Sequence, residues 1–244
     1  MRYPPVTPRL LVAHGSPDKR SAATVRRIAE RAGAIATFLD FDRPDPRSTI
    51  SALVAAGHDR ITMVPLLLTD AHHHRVDLPA IVAASTERHP ELSIAVDAPI
   101  GGAHLVPALA RGLPPVDAVI LAAAGTRHGP ARDAIDVVAA ALGERLGLPC
   151  STAYAAGEPG VGDEVARLRG EGFGRVAVAS YFIAPGVLHD RARNAALDAG
   201  AVAVTPPLGT CPEVLAVCRP VSPPTVRPRL RGLLVPTEPI AIPR

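Results

Sequence analysis

Lysine is almost absent from this sequence. Lys19 is the only one among 26 basic residues, and the rest are arginine. No GxxxxGK[ST] phosphate loop can therefore be written, and any Schiff-base chemistry would have to run through Lys19. Tryptophan is missing and aromatics make up 3% of the chain, so stacking platforms for single-stranded nucleic acid are poorly supplied. The three cysteines, Cys150, Cys211 and Cys218, are odd in number and lack CxxC spacing, which excludes a disulfide framework and a zinc knuckle and points to a reducing compartment. No apolar run reaches the roughly 18–20 residues of a membrane span. The N-terminal stretch also lacks the apolar core and cleavage site of a signal peptide. The expectation is a cytoplasmic protein with neither nucleic acid nor membrane as partner.

What is present is a globular balance, 48% apolar and 20% charged residues over 244 positions, with a formal net charge of +3. That charge is unevenly spread. The segment 219–244 carries seven prolines, five arginines and one glutamate, a formal +4, which leaves 21 basic and 22 acidic residues, a net −1, for the rest. Such a proline-rich segment continues neither a helix nor a central strand, so it is expected to be an extended or disordered tail.

Before the tail, short apolar runs alternate with longer helical patterns, the signature of βαβ units around a parallel sheet. Strands are expected at 10–13, 35–39, 61–68 and 93–96, with helices at 21–32, 48–56 and 78–88. The order then recurs, with strands at 118–123, 151–154, 175–183 and 201–204 and helices at 130–146, 161–169 and 189–199. LLVAHGS at 10–16 parallels ILAAAGT at 120–126, and ITMVPLLLTDAHHHRVDLPA at 61–80 parallels VAVASYFIAPGVLHDRARNA at 176–195. The predicted fold is α/β, two similar flavodoxin-like halves with parallel sheets flanked by helices. The first spans 1–115, the second 116–218, and an LPPV linker lies near the boundary.

Two segments concentrate chemistry. AHGS ends the first strand, and the carboxyl ends of parallel strands are where open α/β sheets bind ligands. His14 is thus placed by topology, with Ser16 as a helix cap or hydrogen-bond donor. The second segment is the histidine run of TDAHHHRVD, His72 to His74, just past the third strand. Neighbouring side chains on a strand alternate faces, so the three can converge on one atom only from a loop. Imidazole is a common ligand of first-row metals, and its pKa of about 6.5 suits proton transfer. Asp77 stands four residues after His73, where a carboxylate can fix the ring tautomer.

These segments resemble the class II tetrapyrrole chelatases, the group of sirohydrochlorin chelatases and anaerobic cobalt chelatases. LLVAHGSPDKRS is similar to the family's LxxHGS start, and PLLLTDAHHHRVDLPA to its PxFLxxGxHxxxDxP segment. The resemblance implies that His14 and His73 bind metal and accept protons. The family's glycine before the second histidine is replaced by Ala71 and His72, which leaves His72 and His74 open as ligands too. It further implies insertion of a divalent metal, with Fe²⁺, Co²⁺ and Ni²⁺ as candidate substrates, into sirohydrochlorin or a related tetrapyrrole, without ATP or NAD. A polycarboxylate substrate calls for forked donors, and Arg20, Arg75 and Arg127 lie in strand-end loops. In the second half Ala124 stands opposite His14 and Leu188 opposite His73, so one active site is expected. His128 and His189 lie nearby as candidate cleft residues. A metal or tetrapyrrole carrier with the same cleft is the alternative, and a nucleotide-binding protein, lacking GxGxxG, ranks last.

Overall fold

A computed structural model of the chain describes residues 7–69 and 76–219. The charged tail beyond Arg219 and the histidine run lie outside the described residues. Among the described residues, eight strands and eight α-helices alternate: β1 (Arg9–Ala13), α1 (Lys19–Ala32), β2 (Ile35–Phe38), α2 (Pro46–Ala55), β3 (Arg60–Pro65), α3 (Leu78–Arg88), β4 (Ser93–Val96) and α4 (Val106–Ala110) form the first series. The second is β5 (Ala118–Ala123), α5 (Gly129–Leu146), β6 (Cys150–Tyr154), α6 (Val161–Gly170), β7 (Val176–Ser180), α7 (Val187–Asp198), β8 (Ala203–Val204) and α8 (Pro212–Cys218). Each series makes an all-parallel four-stranded sheet, in the orders β2-β1-β3-β4 and β6-β5-β7-β8.

The internal repeat extends to the ladder register. Leu10 pairs with Met63 in the first sheet, and the residues parallel to them, Ile120 and Val178, pair in the second. Local signals set the helix ends. Asp18 caps α1 by accepting from the Arg20 N–H, and α1 stops at Gly33, whose φ of 68° lies in the left-handed region.

Alternate strand residues face two different cores, as the period of two requires. Leu10, Val12, Ile61 and Met63 point outward with Ile50 of α2 and Leu78 and Ile81 of α3. Ala118, Ile120, Ala122, Val176 and Val178 do the same with Val165 of α6 and Ala192 and Ala196 of α7. The inward set, Leu11, Ala13, Val64, Val119, Leu121, Ala123 and Ala179, belongs to one continuous core shared by both halves, with α1, α4, α5 and α8 in its helical layer.

The short helices α4 and α8 are exchanged between halves. α8, which closes the second series, packs on α1 of the first, while α4 packs on α5. Arg9, 9% exposed at the start of β1, secures α8 by donating to the carbonyl oxygens of Cys218 (3.1 Å) and Val217 (3.4 Å) while pairing with Asp97 (2.6 Å). Neither short helix carries enough turns for a period to show in sequence. The strands expected at 61–68 and 175–183 end earlier, at Pro65 and Ser180, because the apolar residues that follow line a cavity instead of extending the ladder.

Candidate active site at the strand ends

The site is assembled from the loops that leave β1, β2 and β3. Gly15 has φ of 94°, and a Cβ added there would lie 1.8 Å from the Asp40 carbonyl oxygen, so only glycine lets the β2 exit loop close on the β1 turn. The Asp40 N–H donates to the His14 carbonyl at 2.8 Å. The same closure brings the Asp40 carboxylate to 3.7 Å from His14 Nδ1, with both side chains open to solvent. Phe41 presents its ring to the His14 imidazole in a T-shaped contact, centroids 6.2 Å apart. The sequence reading missed Asp40. Its signal was a carboxylate two residues past the end of the strand beside β1, a place with no motif of its own.

Ser16 Oγ accepts the Asp18 N–H at 3.1 Å, which shapes the entry to α1. Arg20 is held by two carboxylates, Asp18 and Asp190, each at 2.5 Å. The second of these belongs to α7, so the contact ties the mouth of one half to the other. The Arg20 hydrogen bond keeps the Asp18 and Asp190 carboxyls below the ordinary aspartate range. A Cβ built on Gly186 would lie 3.9 Å from Ser16 Oγ, so the α7 entrance sits over the β1 turn.

Asp77 occupies the N-cap position of α3 and is half-buried. His72, His73, His74 and Arg75 lie outside the described residues. The loop leading to them is anchored just before it, because the Tyr181 hydroxyl donates to the Leu68 carbonyl at 3.2 Å and accepts the Gly102 N–H at 3.0 Å. Burial pushes the Tyr181 phenol up to about 12, so it keeps its proton at ordinary pH.

The second half repeats the turn without the histidine. Ala124 takes the place of His14, and Thr126 Oγ1 accepts the His128 N–H at 3.1 Å as Ser16 accepts that of Asp18. His128 is the N-cap residue of α5 and Arg127 is exposed on the turn. Leu188 is 39% exposed on α7. His189 is buried, with Nδ1 3.3 Å from Asp190 and its ring edge-on to Phe182.

A cavity of about 230 Å³ lies where the two series of loops meet, lined by Leu66 to Thr69 from the first half and by Ala123 to Thr126 and Tyr181 to Ile183 from the second. A further cavity of about 300 Å³, at the start of α6, contains no histidine. Among the described residues, no three histidine, cysteine, aspartate or glutamate side chains are grouped to hold a metal ion. Also among them, no helix is long and apolar enough to cross a membrane.

Comparison with known proteins gives this geometry a family. The model of the CbiX family matches residues 8–112 and again 118–221. Sirohydrochlorin cobaltochelatase of Priestia megaterium is 29% identical over 98 residues, 38% of this chain and 32% of that protein. Sirohydrochlorin ferrochelatase of Bacillus subtilis is 30% identical over 99 residues, 38% of each chain. The matched stretch thus spans under two fifths of either relative. The solved structure of SirB from Bacillus subtilis with Fe³⁺ superposes with a TM-score of 0.74 over 87% of this chain and 92% of that one, at 21% identity. That likeness is one of fold. Because the family model is met twice, once on each four-stranded sheet and each time across the glycine turn after the first strand, the chain belongs to the CbiX family, the class II chelatase group its motifs resemble.

Proposed function

We propose that the protein inserts a divalent metal, Fe²⁺ or Co²⁺, into sirohydrochlorin or a closely related tetrapyrrole, in the synthesis of sirohaem or cobalamin. The observation that carries this reading is the His14 imidazole just past the end of β1, with the Asp40 carboxylate 3.7 Å away, in a fold whose strand-end loops from both halves also enclose a mostly apolar cavity. Metal insertion requires a ligand that accepts the ion as it sheds water and a base that takes the two pyrrole protons. An imidazole beside a carboxylate serves both needs, with Asp40 stabilising the imidazolium formed when His14 accepts a proton. His73 is the proposed second ligand and base, with His72 and His74 as alternatives and Asp77 orienting the ring. Support for the substrate class comes from the relatives, one a sirohydrochlorin cobaltochelatase and the other a sirohydrochlorin ferrochelatase.

Neither ATP nor NAD enters this mechanism, because the driving force is formation of the metal complex itself. Arg20, Arg75 and Arg127 are the proposed partners of the substrate's carboxylates, with Ser16 as a donor beside them. Arg20 already holds two aspartates, so a substrate carboxylate engages it by displacing Asp190.

The test is an absorbance assay with sirohydrochlorin and Fe²⁺, Co²⁺ or Ni²⁺, compared with the spontaneous reaction. Acceleration is expected, with His14→Ala and His73→Ala each losing roughly a hundredfold or more. Binding of the tetrapyrrole without acceleration by any metal would replace the enzyme with a carrier. A normal rate in His73→Ala with a loss in His72→Ala or His74→Ala would move the second ligand within the run.

A further inference from the structure

The β2 exit loop contains a strained backbone conformation. Phe41 has φ of 62°, the one non-glycine residue of positive φ among the described residues. The Asp42 N–H closes on the Asp40 carbonyl at 2.7 Å, which makes a three-residue turn with Phe41 at its centre. A γ turn of positive φ is the strained hand of the two, and a bulky aromatic is a poor occupant of that region. The side chain gains little in return, since it is 69% exposed, whereas Phe38 and Phe182 are buried. In a chain with 3% aromatics, a strained backbone here holds a phenyl ring in solvent against the catalytic candidate His14. Strain retained where packing does not explain it points to a ligand.

We propose that Phe41 is a positioning residue for the tetrapyrrole, its ring forming an apolar platform for the conjugated macrocycle beside His14. This rests on the chelatase reading and adds to it a residue that recognises the ring system, distinct from the arginines assigned to the carboxylates. Several observations fit. With the side chain 69% exposed, Phe41 has ring surface open for stacking beside His14, and a flat conjugated system stacks on phenyl without hydrogen bonds. The Asp40 carbonyl that closes the Phe41 turn is the atom that Gly15 accommodates, so platform and imidazole are fixed by one piece of backbone. The second half offers further exposed apolar surface at the α7 entrance, Val187 at 65% and Leu188 at 39%, next to Gly186, which lies over the β1 turn.

The experiment compares the full-length protein with Phe41→Asn, which tolerates positive φ but has no ring, and with Phe41→Trp, which keeps a larger one. Three quantities are read: Tm, the Kd for metal-free sirohydrochlorin from the macrocycle's own absorbance, and the kinetics of Co²⁺ insertion. Phe41→Asn should keep or raise Tm while Kd and KM rise roughly tenfold, with the loss falling on KM more than on kcat. Phe41→Trp should recover binding. An active wild-type enzyme with unchanged Kd and KM in Phe41→Asn overturns the platform alone. A fall in Tm without a change in Kd assigns the ring to packing and overturns it too. A wild-type protein that neither binds nor metallates sirohydrochlorin overturns both the platform and the chelatase reading.

Discussion

His14, Gly15, Asp40 and Phe41 are held together because two loops share one close approach. The place of His14 just past the first strand was legible in the sequence, since a histidine followed by glycine at a strand end is a local pattern. The places of Asp40 and Phe41 were not, because they depend on the neighbouring strand and on a turn whose positive φ falls on a phenylalanine, where no glycine marks it. The shared approach can be tested against strain elsewhere. Gly15→Ala puts a methyl group 1.8 Å from a carbonyl oxygen as well as imposing an unfavourable φ of 94°. Gly33, φ 68°, ends α1 with no atom within 4 Å of an added Cβ, so Gly33→Ala imposes backbone strain alone. Each conformation costs about 1–3 kcal/mol, which lowers Tm by roughly 2–12 °C at this size. Thermal melts should show both losses. Rate assays should separate them, with Gly33→Ala keeping the proposed metal-insertion activity and Gly15→Ala losing most of it as Asp40 is driven from His14. Equal rates in the two variants would show that the approach of the loops does not matter to the chemistry.

At the scale of elements, segments whose apolar pattern stops where the element stops were placed well, as with strands β4 and β5 and helix α3, whose ends match the expectation residue for residue. Runs that outlast their strand were not, because Leu66 to Leu68 and Tyr181 to Ile183 are apolar for the cavity they line. Tyr181 shows the consequence, a residue read as strand that instead holds the loop after β3 by its hydroxyl. Tyr181→Phe leaves the Gly102 N–H and the Leu68 carbonyl without this partner at a buried site, a loss of about 1–3 kcal/mol. It also alters the response to base. The phenol ionises near 10.0 when unfolded and at about 12 when folded, so its contribution is complete below pH 10 and is lost as pH rises towards 12. Half-buried Cys150, raised by desolvation from 9.0 to about 12, acts in the same direction from pH 9 upward. Chemical denaturation from pH 8 to 12 should therefore show stability falling in both proteins, less steeply in Tyr181→Phe above pH 10. Parallel curves would remove Tyr181 from that account.

For the whole molecule, the repeat suggests two independent halves, and the packing shows why each needs the other. The inward faces of both sheets share one core, and the helix covering α1 arrives from the end of the second series while that covering α5 arrives from the first. A fragment ending at residue 115 retains α1 but loses α8, which exposes Val25, Ile28 and Ala29 together with the inward residues Leu11 and Val64. Arg9 would also lose the α8 carbonyls it caps. A fragment starting at residue 116 lacks α4, and with it Leu105, Val106 and Leu109 from the face of α5. Expressed separately, residues 1–115 and 116–244 should each bind a hydrophobic dye and melt without a cooperative transition. Mixed during refolding, they should recover one transition and the chelatase rate, since the exchanged helices allow each to complete the other's core. A cooperative, dye-free melt of 1–115 alone would show that its core closes without α8, and the cleft would then be a contact between two finished domains instead of a product of their shared interior.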